Sequence, residues 1–205
     1  MSGIMDMITQ QLGGNVMQQM ASKLGGNSEG VQRATAAAVP MILAAIKRNA
    51  GSRQGAESLA NALNKHSDGG MLGGLGSLLG GGSGGNASMM QEGGKILGHV
   101  FGGKQNNMAQ QLGRATGIGG KGAGDLMSML APMVMGALGK AKAQNNMGVS
   151  GLQDLLNQEH QTIQKRQPKQ LGMIEGLLDA DGDGDVDLSD ILKKGSGLLG
   201  GFFKR

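Results

Sequence analysis

The chain has 205 residues, enough for one or two small domains, and its composition is skewed: 41 Gly, 16 Met, 3 Pro, 3 Phe, and no Trp, Tyr or Cys. So few aromatics exclude base-stacking RNA or single-strand surfaces and aromatic sugar platforms, and the lack of Cys excludes disulfides and thiolate metal sites. The formal charge is +4, but Asp179, Asp181, Asp183, Asp185, Asp187 and Asp190 gather six of the 15 acids, which leaves the rest of the chain mildly basic with scattered charge.

From the N-terminus, Met1–Gly14 has neither a basic n-region nor an apolar h-region, because Asp6 and polar residues interrupt it. Ser28 is the predicted N-cap of a helix whose apolar residues Val31, Ala34, Ala38, Ile42, Ala45 and Ile46 recur at three- and four-residue steps. Pro40 falls inside that pattern and is expected to kink or divide the helix. Gly69–Gly85 is Gly-rich and reads as a flexible linker, with an apolar stripe (Met71, Leu72, Leu75, Leu78, Leu79) that would need a partner to fold. Ser88-x-x-Gln91 has the form of a capping box before a helix through Phe101. Pro132 is expected to act like Pro40, and Ser150 to cap a helix carrying Leu152, Leu155 and Leu156. No stretch alternates at period two, so the predicted fold is all-α. The longest apolar runs, Ala34–Ile46 and Leu126–Leu138, are too short to span a bilayer, and the expectation is a cytoplasmic protein.

The chain also repeats itself. Val39-Pro40-Met41-Ile42-Leu43-Ala44-Ala45-Ile46 resembles Ala131-Pro132-Met133-Val134-Met135-Gly136-Ala137-Leu138. Upstream, Met20-Ala21-Ser22-Lys23-Leu24-Gly25 matches Met108-Ala109-Gln110-Gln111-Leu112-Gly113. Downstream, Leu59 and Leu63-Asn64 match Leu152 and Leu156-Asn157. The organisation read from this is a first helical repeat over 1–66, a Gly-rich linker over 67–87, a second repeat over 88–165, and a C-terminal segment over 166–205 with a hinge around Pro168 and a Gly/Leu/Phe tail at Gly195–Phe203.

That last segment holds the motif with chemistry in it. Asp179-Ala180-Asp181-Gly182-Asp183-Gly184-Asp185-Val186-Asp187-Leu188-Ser189-Asp190 fits a twelve-residue calcium loop position by position. Asp179, Asp181 and Asp183 stand at positions 1, 3 and 5, and Gly184 supplies the turn at position 6. Asp185 offers its carbonyl at position 7, Asp187 acts directly or through water at position 9, and Asp190 closes the loop. A hard divalent cation relieves the mutual repulsion of so many carboxylates. Asp190 replaces the usual Glu at position 12, and its shorter arm favours weaker Ca²⁺ binding with Mg²⁺ as a competitor. The loop resembles those of EF-hand and dockerin-type proteins, which implies a helix-loop-helix with a metal site at the six aspartates. The repeated body, roughly residues 4–165, resembles the YidB-like family of bacterial all-helical proteins of unknown function. That resemblance implies an all-α fold and no established activity.

Other signals are weaker. Met17–Ala34, with Ala21, Gly25 and Val31, has the spacing of a helix-turn-helix, and gives the alternative reading of a DNA-binding regulatory or nucleoid-type protein. Its Ala-rich second helix, nearly uncharged beyond Arg33, argues instead for a simple helical corner. Gly117-Ile118-Gly119-Gly120-Lys121-Gly122 satisfies a dinucleotide-loop pattern, but it follows no strand and has Gly122 where a phosphate loop needs Ser or Thr. His66, His99 and His160 are isolated, and the Met pairs Met17/Met20 and Met133/Met135 read as core. No catalytic constellation stands out. The sequence is therefore read as a non-enzymatic calcium-binding structural or interaction protein, with self-association into a homo-oligomer as a further expectation and its protein partner unidentified.

Overall fold

The computed structural model describes residues 3–24, 27–65 and 83–166. Within them the secondary structure is helical, as expected: α1 (Ile4–Gln11), α2 (Gly14–Leu24), α3 (Ser28–Asn49), α4 (Arg53–Lys65), α5 (Ser83–Phe101), a short 3₁₀ turn, α6 (Gln105–Thr116), α7 (Gly119–Gln144) and α8 (Val149–Arg166). The Gly69–Gly85 stretch up to residue 82, the hinge around Pro168, the aspartate loop and the Gly195–Phe203 tail lie outside the described residues.

Helices α3 and α7 form the centre. In α3 the stripe Val31, Ala34, Ala38, Ile42, Ala45 and Ile46 is almost wholly buried, because α2, α5, α6, α7 and α8 all pack on it. Helix α7 is apolar around its circumference, and the run from Leu126 to Gly139 is buried throughout. A helix apolar on every side must be covered on every side, and α1 to α6 all contact α7. Their apolar residues merge into one continuous core to which Met contributes heavily, with Met20, Met41, Met108, Met127, Met129, Met133 and Met135 buried. Flexible thioethers fill the gaps that aromatic rings, nearly absent here, would otherwise fill.

Several helix ends differ from the sequence expectation. The N-cap of α3 is Asn27 rather than Ser28: its side-chain Oδ1 accepts the Gly30 N–H at 2.6 Å, satisfying one of the free donors of the first turn. Glu29 in the first turn and Lys47 and Arg48 in the last complement the helix dipole. Ser88 is not the N-cap, because α5 is already helical from Ser83. Ser150 likewise lies inside α8, where the first-turn bond runs from Leu152 N–H to the Gly148 carbonyl at 3.1 Å. Neither Pro40 nor Pro132 divides its helix, and α3 and α7 run continuously through them. Both prolines are buried, so packing from several sides outweighs the lost backbone bond.

Two glycines set how closely helices approach. A Cβ at Gly93 of α5 would collide with the backbone carbonyl oxygen of Ser128 in α7. That oxygen is the one Pro132, four residues later, has no N–H to reach. The α5 backbone is thus drawn against a carbonyl that lacks its regular helical donor. A Cβ at Gly113 would strike the backbone of Gly119, which holds the tight turn between α6 and α7. In that turn Gly117 and Gly119 both have positive φ, 80° and 72°. Gly117–Gly122 is therefore a helix end and a helix start, and Lys121 pairs with Asp125 at 2.8 Å.

Side-chain bonds tie the helix ends together. Asn49 donates to the Val100 carbonyl at 2.7 Å, joining the end of α3 to the end of α5. Gln153 donates to the Ala50 carbonyl at 2.9 Å, fixing α8 to the same end of α3.

Candidate functional site

The six aspartates of the predicted calcium loop, Asp179, Asp181, Asp183, Asp185, Asp187 and Asp190, lie outside the described residues, as does His66. Among the described residues no three His, Cys, Asp or Glu side chains gather in a metal-holding cluster. His99 is exposed and His160 half-buried. Of the methionine pairs, Met20, Met133 and Met135 are buried and Met17 packs against the core, so their sulfurs serve packing.

The helix-turn-helix spacing corresponds to α2 and α3, which do pack together. The second of these is the central helix of the fold. Its outward face near the N-terminus offers Glu29, Gln32 and Arg33, with Arg33 paired to Glu29 at 3.3 Å. A recognition helix needs its face free for a groove, and most of α3 is given to the core.

A concave site is formed where α1 meets α8 and the end of α7, a cavity of about 860 Å³. Its polar centre is Glu159 of α8, buried to 6 % exposure. Glu159 lies on the same face of α8 as Leu152, Leu156 and Ile163, all buried, so the helix carries one carboxylate along an apolar stripe. Its Oε1 accepts the Ile4 N–H at 2.9 Å, satisfying a free donor at the start of α1 from 155 positions away in sequence. Gly3 makes this approach possible, since a Cβ there would stand 2.8 Å from Oε1. The other oxygen, Oε2, is buried and has no hydrogen-bond partner among the described residues.

At the rim, Asp6 links the same two helices. Its Oδ1 receives Arg166 Nη1 at 3.0 Å and its Oδ2 receives the Gly3 N–H at 3.3 Å. The Arg166 hydrogen bond, then the Gly3 amide, then the Arg166 charge hold the Asp6 carboxyl below its ordinary value. The walls include Met5, Met7, Met147 and Leu155, together with Lys140 and Asp154. A second, more apolar groove of about 430 Å³ lies between α4 and α5, with Leu59, Ala62, Ile96 and Val100 on its walls and His99 and Lys95 beside them.

Sequence reasoning passed over Glu159. The signal was there: Leu152, Leu156 and Ile163 mark one face of α8, and Glu159 occupies the position between them. An acid on an apolar helical face requires a partner or a function.

Fold and site together define an all-helical protein built on two central helices, with a carboxylate-containing cavity at one end. Residues 6–141 match the model of a family described as bacterial proteins of unknown function, DUF937, and the chain belongs to that family. The match falls within residues 4–165, the stretch that resembles the YidB-like proteins. Comparison with curated proteins and with solved structures gave no match. Among the described residues no helix is long and apolar enough to cross a membrane.

Proposed function

We propose that this DUF937 protein is a non-enzymatic calcium-binding structural or interaction protein, in which a helical body carries a C-terminal Ca²⁺ loop of the EF-hand or dockerin type. The observation that carries the reading is the order of residues from Asp179 to Asp190. Five carboxylates at alternate positions with Gly184 after the third supply hard oxygen donors and a sharp turn, which suits Ca²⁺ and tolerates Mg²⁺. Calcium would order Leu171–Leu178 and Ile191–Leu199 around the loop, since ligand binding that selects an ordered state stabilises it.

The body reads as a tandem duplication. In support, the order α2-α3-α4 recurs as α6-α7-α8, with the two proline-bearing helices at the same place in each series. On this reading residues 67–87 join the copies, and the two copies bury their apolar faces against each other through α3 and α7.

The test is a ¹⁵N–¹H spectrum of the full chain recorded in chelator and then in about 5 mM CaCl₂, several times the weakest dissociation constants of such loops, about 1 mM. The reading predicts that the Gly182 and Gly184 amides shift and sharpen on calcium while α3 and α7 resonances stay in place. Unchanged loop glycines would reject it. The DNA-binding alternative is tested by a mobility shift at two salt concentrations, since phosphate contacts impose a steep salt dependence.

A further inference from the structure

Among the described residues, the lining of the cavity between α1 and α8 has more acids than bases. Its walls carry three carboxylates, Asp6, Asp154 and Glu159, against two cations, Lys140 and Arg166. The Arg166 guanidinium is engaged with Asp6. Glu159 is 6 % exposed, one of its oxygens is occupied by the Ile4 N–H, and the other, Oε2, meets no donor among the described residues. A buried carboxylate oxygen left unpaired is costly, and a fold retains one where something else completes it.

We propose that this cavity is a binding site for a small primary alkylammonium compound, whose –NH₃⁺ donates to Glu159 Oε2. The chemistry of the walls selects that class. An ammonium brings compact donors and one positive charge, which matches the single excess negative charge of the lining. The remaining wall is supplied by Met5, Met7, Met147 and Leu155, flexible apolar side chains suited to a short alkyl chain of variable length. A volume of about 860 Å³ lies within the range of small-molecule sites. An anion is disfavoured, because it would have to approach a lining with three carboxylates, Asp6, Asp154 and Glu159. No aspartate of the 179–190 loop is needed for this contact, and the test is run in chelator.

The probe is n-propylammonium titrated into the full-length ¹⁵N,¹³C-labelled protein, with n-propanol as the neutral isostere. The expected result is saturable shifts of the Gly3 and Ile4 amides and of the Glu159 carboxyl carbon with the ammonium, and none with the alcohol. Glu159→Gln keeps an oxygen for the Ile4 N–H and removes the charge, and should weaken binding about tenfold or more. Equal shifts with propanol, no saturable shift, or unchanged affinity in Glu159→Gln would each overturn the proposal. Where Glu159→Gln loses its far-UV helix signal, the wild type decides: intermolecular NOEs from the propyl methylenes to the Met5 or Met147 methyls support the site, and their absence overturns it.

Discussion

Gly93 and Gly94 are neighbours on α5, yet the structure assigns opposite outcomes to the same substitution. A Cβ on Gly93 would fall on the backbone carbonyl of Ser128, whereas one on Gly94 meets nothing within 4 Å. Replacing Gly by Ala inside a helix gains about 1 kcal/mol of propensity in either case. At Gly93 that gain is opposed by overpacking, which costs about 1–3 kcal/mol. The upper end applies because the obstacle is backbone in the central helix rather than the tip of a side chain. Gly93→Ala should therefore lose about 2 kcal/mol, and Gly94→Ala should gain about 0.5–1 kcal/mol. For a chain of this size about 2–4 °C accompanies each kcal/mol, so the two variants should melt roughly 4–8 °C below and about 2 °C above the wild type when followed by circular dichroism at 222 nm. Equal shifts of the same sign would refute the close approach of α5 to α7.

Three further predictions rest on other features. Asn27→Ala removes the side-chain acceptor for the Gly30 N–H and should cost about 1 kcal/mol in urea unfolding, while Ser28→Ala should be close to neutral. Leu130→Ala opens a cavity at a fully buried position of α7 and should cost about 2–5 kcal/mol, a loss read from the same urea curves. The Asp6 carboxyl is held below its ordinary value by Arg166 and the Gly3 amide, so its contribution is present above the unfolded value near 4 and disappears as the pH falls through the lower folded value. The stability difference between wild type and Asp6→Asn should thus be constant above about pH 5 and shrink toward pH 2. A difference that grows on acidification would contradict the pairing.

How much of this was legible in the sequence depends on the kind of signal. The stripe from Val31 to Ile46 was readable because burial at three- and four-residue steps leaves few alternatives to a helix, and every residue named in it is buried. Caps were less readable: Asn27 and Ser28 are both good cap residues, and only the backbone shows which oxygen reaches the Gly30 amide. The start of α5 was hidden because Gly84 and Gly85 score poorly as helix formers, although the segment is helical from Ser83. Pro40 and Pro132 signalled a break by local rules, and packing around the two central helices overrode it. Glu159 was missed for a different reason. Its partner, the Ile4 amide, lies at the other end of the described chain, and no local pattern connects them. The motif that speaks most clearly in sequence, Asp179–Asp190, rests on residue order alone.

The central claim, that this is a calcium protein, is met most directly by calorimetric titration of the metal-stripped full chain with Ca²⁺, set against the Asp179→Ala/Asp183→Ala double variant. The account predicts a single-site isotherm for the wild type that vanishes in the variant. With Asp190 at the closing position, the affinity should fall toward the weaker end of the range for such loops, micromolar to millimolar. No heat beyond dilution in the wild type, or an isotherm that survives in the variant, would contradict it.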